Sequence, residues 1–260
     1  MKNAGAMLAM GIVLIGMLAG FKNMEDNTIF SAVTESPTPV KVPTPALSVE
    51  AAQELTCSNL YDSLDLAAAG LSKEAFRYAW FGFQNAGFTK SILAIADFSQ
   101  SSRNKRLYVI DFSNQKVLLN TYVAHGRNSG QEYASKFSNI NSSYQSSLGF
   151  YKGLGTYQGK HGLSLRLQGL EKNINDQAFE RAIVMHGADY VSEDFIRQTG
   201  RLGRSLGCPA VSQAEHQQLI KMLQNGAGLF LYYPDAQYFN HSQILHQAVA
   251  TAHTLAPSNS

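Results

Sequence analysis

The chain has 260 residues, of which 45% are apolar and 15% charged, with a formal net charge of +2. That length and apolar fraction are enough to bury one sizeable core. The near-neutral balance lacks the clustered basic footprint of a nucleic-acid binder, so nucleic acid is excluded as a partner class.

Residues 1–26 open with Met1-Lys2-Asn3, then run apolar from Ala4 to Gly20 before Phe21-Lys22. A positive charge ahead of such a run reads as a secretory signal peptide. The run is at the lower edge of spanning length, so an inner-membrane anchor is the other reading. Either one gives an exported, periplasmic location for the bulk of the chain. Residues 27–50 carry Ser36-Pro-Thr-Pro39 and Val42-Pro-Thr-Pro45. Proline fixes φ and lacks a donor, so this stretch is an extended, semi-rigid tether.

Residues 51–90 read as helical, beginning from about Val49. Leu55, Leu60, Leu64 and Leu66 are spaced for one helical face, and Ser72 is the expected N-cap of a second helix over 73–84. That helix carries Phe76, Tyr78, Trp80, Phe81 and Phe83, which are expected to pack on the domain that follows.

The period changes over 91–235. Residues 92–98, 106–112 and 116–123 are short β-rich runs separated by polar turns, as in a meander. Residues 147–151, 163–167, 182–185 and 229–233 continue the strands. A short helix is expected over 189–198, a Gly/Arg loop over 200–207, and a helix opened by the capping box Ser212-Gln-Ala-Glu215 and running to about Gln224. The tail, 236–260, is expected to form an amphipathic helix from His241 before a polar end.

Within this β-rich region one stretch concentrates chemistry. An apolar run from Arg181 ends at His186, and Ser205-Leu206-Gly207-Cys208-Pro209 follows. A thiol is a good nucleophile only once deprotonated, and an unperturbed thiol is a few per cent thiolate at neutral pH. An imidazole beside it supplies the base. The two positions are too far apart for a local turn, so the fold must bring them together. Cys208 is therefore the candidate nucleophile and His186 the candidate base. Cys57 is the other cysteine. In an oxidising compartment a Cys57–Cys208 disulfide in a non-catalytic wall-binding domain is the competing reading. No stretch has the tight spacing of a zinc site, and no metal or organic cofactor is expected.

His-Gly followed at a distance by Ser-x-Gly-Cys, in the context AHGRNSG, SSLGFY, GKHGLSLRL, VMHGADYVSEDFI and GRLGRSLGCPAV, resembles the murein L,D-transpeptidase (YkuD-like) catalytic domain of exported Gram-negative enzymes. The resemblance covers about residues 92–233. It implies a mainly β fold with flanking helices (α+β), a sandwich or barrel preceded by a helical segment. It also implies a cysteine acyltransferase acting on peptidoglycan stem peptides. Cys208 would attack the meso-diaminopimelate carbonyl of a tetrapeptide, release D-alanine and pass the acyl group to an amine, giving a 3→3 crosslink. Water as acceptor would make it an L,D-carboxypeptidase. On the same resemblance the Gly187 carbonyl orients the His186 ring, Ser205 shapes the nucleophile loop, and His161 lines the donor site. Backbone N–H groups at Gly207 and Cys208 would form the oxyanion hole. The commoner family form is Ser-His-Gly-Cys with Arg or Asn two residues on. Leu206 and Ala210 stand at those two positions here, and Arg201 or Arg204 is the expected source of the missing cation. Arg127 and Asn128, in the polar loop 125–130, are candidates for holding the stem peptide.

Overall fold

The computed structural model describes residues 48–246. The leader expected over 1–26, most of the Pro/Thr stretch and the last part of the tail lie outside the described residues.

Helix α1 (Val49–Ser63) starts at Ser48, whose hydroxyl accepts from the Ala51 N–H at 3.2 Å. It buries Cys57, Leu60 and Tyr61. This corrects the expected face: Leu55 is exposed, and Leu66 is buried in the turn beyond the helix end. Helix α2 (Lys73–Asn85) is capped by Ser72, which accepts from the Ala75 N–H at 3.1 Å. Gly82 sets its distance from the sheet. A Cβ there would fall 1.9 Å from the Phe150 ring, so only glycine lets the helix lie this close.

The strands are β1 (Ile92–Asp97), β2 (Leu107–Asp111), β3 (Lys116–Thr121), β4 (Gly149–Gly159), β5 (Gly162–Gly169), β6 (Val184–Gly187), β7 (Ala210–Val211) and β8 (Gly228–Tyr232). They form one sheet in the order β3-β2-β1-β8-β4-β5-β6-β7. The first three are the expected meander, paired antiparallel. The last strand does not sit at the edge. It inserts between β1, to which it is parallel, and β4. An antiparallel bridge from Ala124, just beyond β3, to Ala210 in β7 joins the two ends, so the sheet closes into a near-barrel.

Alternation along β1 divides two cores. Leu93 and Ile95 face the helices, joining Phe76, Tyr108, Phe150, Phe230 and Tyr232. Ala94 and Ala96 face the interior with Val109, Leu165, Met185, Leu229 and Leu231. Small residues on that inner face leave room for helix α4 (His216–Leu223), which fills it with Leu219, Ile220 and Leu223. Ser212 accepts from the Glu215 N–H at 3.3 Å and donates to its carboxylate, but helix geometry begins only after this turn.

β4 and β5 make a longer hairpin than expected, with Lys160 and His161 at its tip. Gly153 and Gly155 weaken the strand signal in the sequence. At Gly153 the glycine is required, because a Cβ would fall 2.0 Å from the Leu223 carbonyl at the end of α4. Helix α3 (Glu193–Thr199) starts later than expected because Ser192 is its N-cap, accepting from the Phe195 N–H at 3.2 Å. Helix α5 (Ala236–His241) ends where the tail helix was expected to begin.

Candidate active site

β6 carries His186 at its buried end, with 3% of the residue exposed. The His186 Nδ1 lies 2.9 Å from the Gly187 carbonyl. A carbonyl only accepts, so Nδ1 carries the proton and Nε2 of the neutral ring carries the lone pair. Gly187 has no room for a side chain: a Cβ would fall 2.4 Å from the Gln213 amide oxygen and 3.0 Å from the His216 ring nitrogen. From the hairpin tip, His161 stacks on the His186 ring at 4.3 Å. Burial pushes the His186 pKa down, the Gly187 carbonyl opposes that, and His161, Lys160 and His216 push further down. The ring is therefore neutral around pH 7, the form a general base requires.

Cys208 is half-buried and unoxidised. Its sulfur accepts from the Val184 N–H at 3.5 Å and faces the Ala182 carbonyl at 3.8 Å. In the parallel β6–β7 register His186 pairs with Ala210. Cys208 thus lies against the strand that bears His186, with no hydrogen bond between sulfur and imidazole among the described residues. Burial raises the thiol pKa, while the Val184 N–H, Arg181 and Lys160 each lower it. Both shifts favour the uncharged pair, thiol and imidazole.

The disulfide reading is overturned. Both cysteines are free, and Cys57 lies on the buried face of α1. Cys57 belongs to the helix-side core and Cys208 packs against the interior core.

Ser205 organises the nucleophile loop. Its hydroxyl accepts from the Gly207 N–H at 3.0 Å and donates to the Cys208 carbonyl at 2.6 Å. Its backbone is held in turn. The Ser205 N–H donates to the His125 carbonyl at 3.0 Å, and the Arg127 N–H to the Ser205 carbonyl at 2.8 Å. The Gly207 N–H is thereby committed and unavailable to an oxyanion in this arrangement. The Cys208 N–H, by contrast, makes no hydrogen bond among the described residues. Gly207 has φ +123°, in the region glycine favours.

The two arginines expected to supply a cation are engaged elsewhere. Arg204 donates to the Arg127 and Gly130 carbonyls, both at 2.9 Å. Arg201 donates to the Leu202 carbonyl. Arg127 lies over the Tyr144 ring, and Asn128 donates to the Ser143 carbonyl. The guanidinium that does face the nucleophile loop is Arg181. Sequence reasoning saw it only as the start of the run ending at His186, and nothing in the spacing says which way its side chain turns. Leu206 is exposed beside Cys208, and Ala210 is fully buried. A cleft of about 610 Å³ opens beside Gly187 and His161, walled by Lys160, Asp189, Tyr190 and His216. Among the described residues no group of three His, Cys, Asp or Glu side chains is disposed to hold a metal.

Compared with known proteins, residues 67–232 match the model of the L,D-transpeptidase catalytic domain (YkuD_2). No curated protein matches the chain. Solved structures that align with it include an L,D-transpeptidase from Mycobacterium smegmatis at 14% identity, covering 55% of this chain and 59% of that one, with a TM-score of 0.34. Another is an L,D-transpeptidase from Stackebrandtia nassauensis at 16% identity, covering 69% and 77%, with a TM-score of 0.32. A third, L,D-transpeptidase 3 from Mycobacterium tuberculosis with a faropenem-derived adduct, aligns at 13% identity over 55% and 60%, with a TM-score of 0.34. The chain thus spans less than two thirds of the first and third of these structures.

Proposed function

Since the chain belongs to the L,D-transpeptidase catalytic-domain family, we propose that it is a cysteine acyltransferase acting on peptidoglycan stem peptides. The observation that carries this reading is the Cys208 thiol lying against β6, with the His186 Nδ1 tied to the Gly187 carbonyl so that Nε2 is the basic nitrogen. The reading includes export to the periplasm, on the strength of the first 26 residues.

The donor is a tetrapeptide stem. Cys208 Sγ attacks the carbonyl of its meso-diaminopimelate residue, and His186 Nε2 takes the thiol proton. The sulfur–carbon bond forms and the carbonyl oxygen gains charge, for which the unpaired Cys208 N–H is the available backbone donor. The oxyanion collapses, the bond to D-alanine breaks, and the imidazolium returns its proton to the leaving amine. An amine of a second stem then attacks the thioester, again losing a proton to His186, and a 3→3 crosslink forms with the thiol restored. A rotation at Cys208 that brings sulfur to imidazole precedes attack.

The test is mass analysis of disaccharide-tetrapeptide incubated with the full chain and with Cys208→Ala. Loss of D-alanine with a 3→3 dimer, absent in the variant, supports the transferase. Tripeptide without dimer makes the enzyme an L,D-carboxypeptidase. No Cys208-dependent change refutes both.

A further inference from the structure

Ala210 stands where the commoner family form carries a polar residue, and its side chain is fully buried. The nucleophile loop is nonetheless not without a cation. A Cβ built on Gly207 would lie 3.4 Å from Arg181 Nη2, so the guanidinium rests against the backbone one residue before Cys208. Arg181 also directly precedes the turn that grips the sulfur through the Ala182 carbonyl and the Val184 N–H.

Four acceptors hold the guanidinium fork. Nη1 donates to the Ser138 carbonyl at 2.7 Å and to the Ser147 hydroxyl at 3.2 Å. Nη2 donates to the Gln145 carbonyl at 2.6 Å and to the Ser143 hydroxyl at 3.3 Å. All four belong to the connection between β3 and β4, and all are neutral. Among the described residues no carboxylate pairs with Arg181. Its field is therefore not cancelled locally. The ionisable groups that it favours as anions are Tyr151 and Cys208. Tyr151 is fully buried with its pKa raised far above neutrality, so Cys208 is the one that can take up the charge.

We propose that Arg181 is a positioning residue for the nucleophile: its charge stabilises the Cys208 thiolate, and its fork fixes the loop 138–147 against the Gly207 backbone. The inference rests on the reading of Cys208 as nucleophile. The other titratable groups that act on the thiol are Lys160 from the hairpin tip and Tyr190, and His186 is carried by the strand the sulfur lies against. Lys160 is exposed on a hairpin tip, where water screens its charge more than that of half-buried Arg181.

The test measures iodoacetamide alkylation at Cys208 against pH, by peptide mass, in the full chain and in Arg181→Gln, Arg181→Lys and Lys160→Gln. Removing a nearby opposite charge raises a pKa by about 1 or more. Arg181→Gln is expected to raise the apparent thiol pKa by about 1 and slow alkylation at pH 7 about tenfold. Arg181→Lys keeps one charge on a shorter stem without the fork, and is expected to give roughly half that rise. Lys160→Gln is expected to shift it less than Arg181→Gln. A thiol pKa unchanged in a folded Arg181 variant, with only the melting temperature lowered, overturns the proposal. Should Arg181→Gln fail to fold, Arg181→Lys decides alone by the same criterion. Alkylation needs no substrate, so a wild-type chain that releases no D-alanine would refute the transferase reading and still leave this one decided.

Discussion

The imidazole of His161 stacks on that of His186 at 4.3 Å, with the ring planes 21° apart. The upper ring sits on an exposed hairpin tip and the lower at the buried end of a strand. Protonating His186 therefore means charging a buried ring beneath a second imidazole. Only neutral His186 can accept the thiol proton, and its pKa is lowered by burial first, with His161, Lys160 and His216 adding to the effect. Activity is fully present above the His186 pKa and is lost as pH falls through it. His161→Ala removes one neighbour that holds this pKa down. The acidic limb of kcat/KM against pH is expected to move to higher pH, and an unmoved limb would separate the stack from the catalytic proton transfer.

Ser205 links Gly207 and Cys208 through one hydroxyl. Ser205→Ala leaves the Gly207 N–H without its partner and releases the Cys208 carbonyl. Loss of a buried hydrogen-bonding partner costs about 1–3 kcal/mol. The expected result is a fall of roughly ten- to a hundredfold in kcat with little change in KM, read by D-alanine release.

Gly207→Ala puts a Cβ 2.8 Å from the Gln145 carbonyl at φ +123°. Both effects act in the same direction, and backbone strain of this kind costs about 1–3 kcal/mol. Thermal unfolding is expected at lower temperature, with activity lost beyond what the stability loss accounts for. A Gly207→Ala protein that melts and turns over like wild type would contradict the loop geometry.

His125 is fully buried, and the Arg106 guanidinium donates to its Nδ1 at 2.7 Å. Burial first, and Arg106 second, push its pKa down to about 3. The folded chain thus refuses a proton that the unfolded chain accepts below about pH 6.5. By linkage, stability is full above pH 6.5 and falls as pH drops from there toward 3, by at most about 5 kcal/mol from this group. His125→Gln is expected to flatten that part of the stability curve in denaturant titrations at several pH values.

Cys57 has its pKa pushed up to about 12, chiefly by burial. In the native chain a thiol reagent at neutral pH is expected to modify Cys208 alone, with Cys57 reacting only on unfolding. A carbapenem-type β-lactam would add one adduct mass, at Cys208. Adduct on Cys57 in folded protein would contradict its place under α1.

Much of this molecule was legible in the chain, for reasons that differ by residue. Ser72 caps its helix because a hydroxyl oxygen satisfies a local N–H group, a short-range rule. The strand runs were visible through β-rich composition. The strand order was not. That β8 lies between β1 and β4 depends on pairings far apart in sequence, which no local pattern encodes. At the site, the resemblance implies the Gly187 carbonyl as partner of the His186 ring, and the two lie within hydrogen-bond distance. The cation could not. Arg201 and Arg204 are nearer to Cys208 in sequence, yet the Arg204 guanidinium satisfies the Arg127 and Gly130 carbonyls and that of Arg201 the carbonyl of its neighbour Leu202. Arg181 reaches the nucleophile loop through the fold. The oxyanion expectation at Gly207 missed that Ser205 would claim its N–H.

β8 has a further consequence for how the molecule is made. It is the next-to-last described element, yet it is the seam between β1–β3 and β4–β7. Until residues 228–232 have been synthesised, the backbone pairing between the two ribbons is limited to the bridges Ala124–Ala210 and Gly126–Ser205, and the sheet cannot close. Such late, long-range pairing makes folding slow. The chain should therefore stay open for most of its translation. Catalytic competence would arrive only once this last strand slides into place.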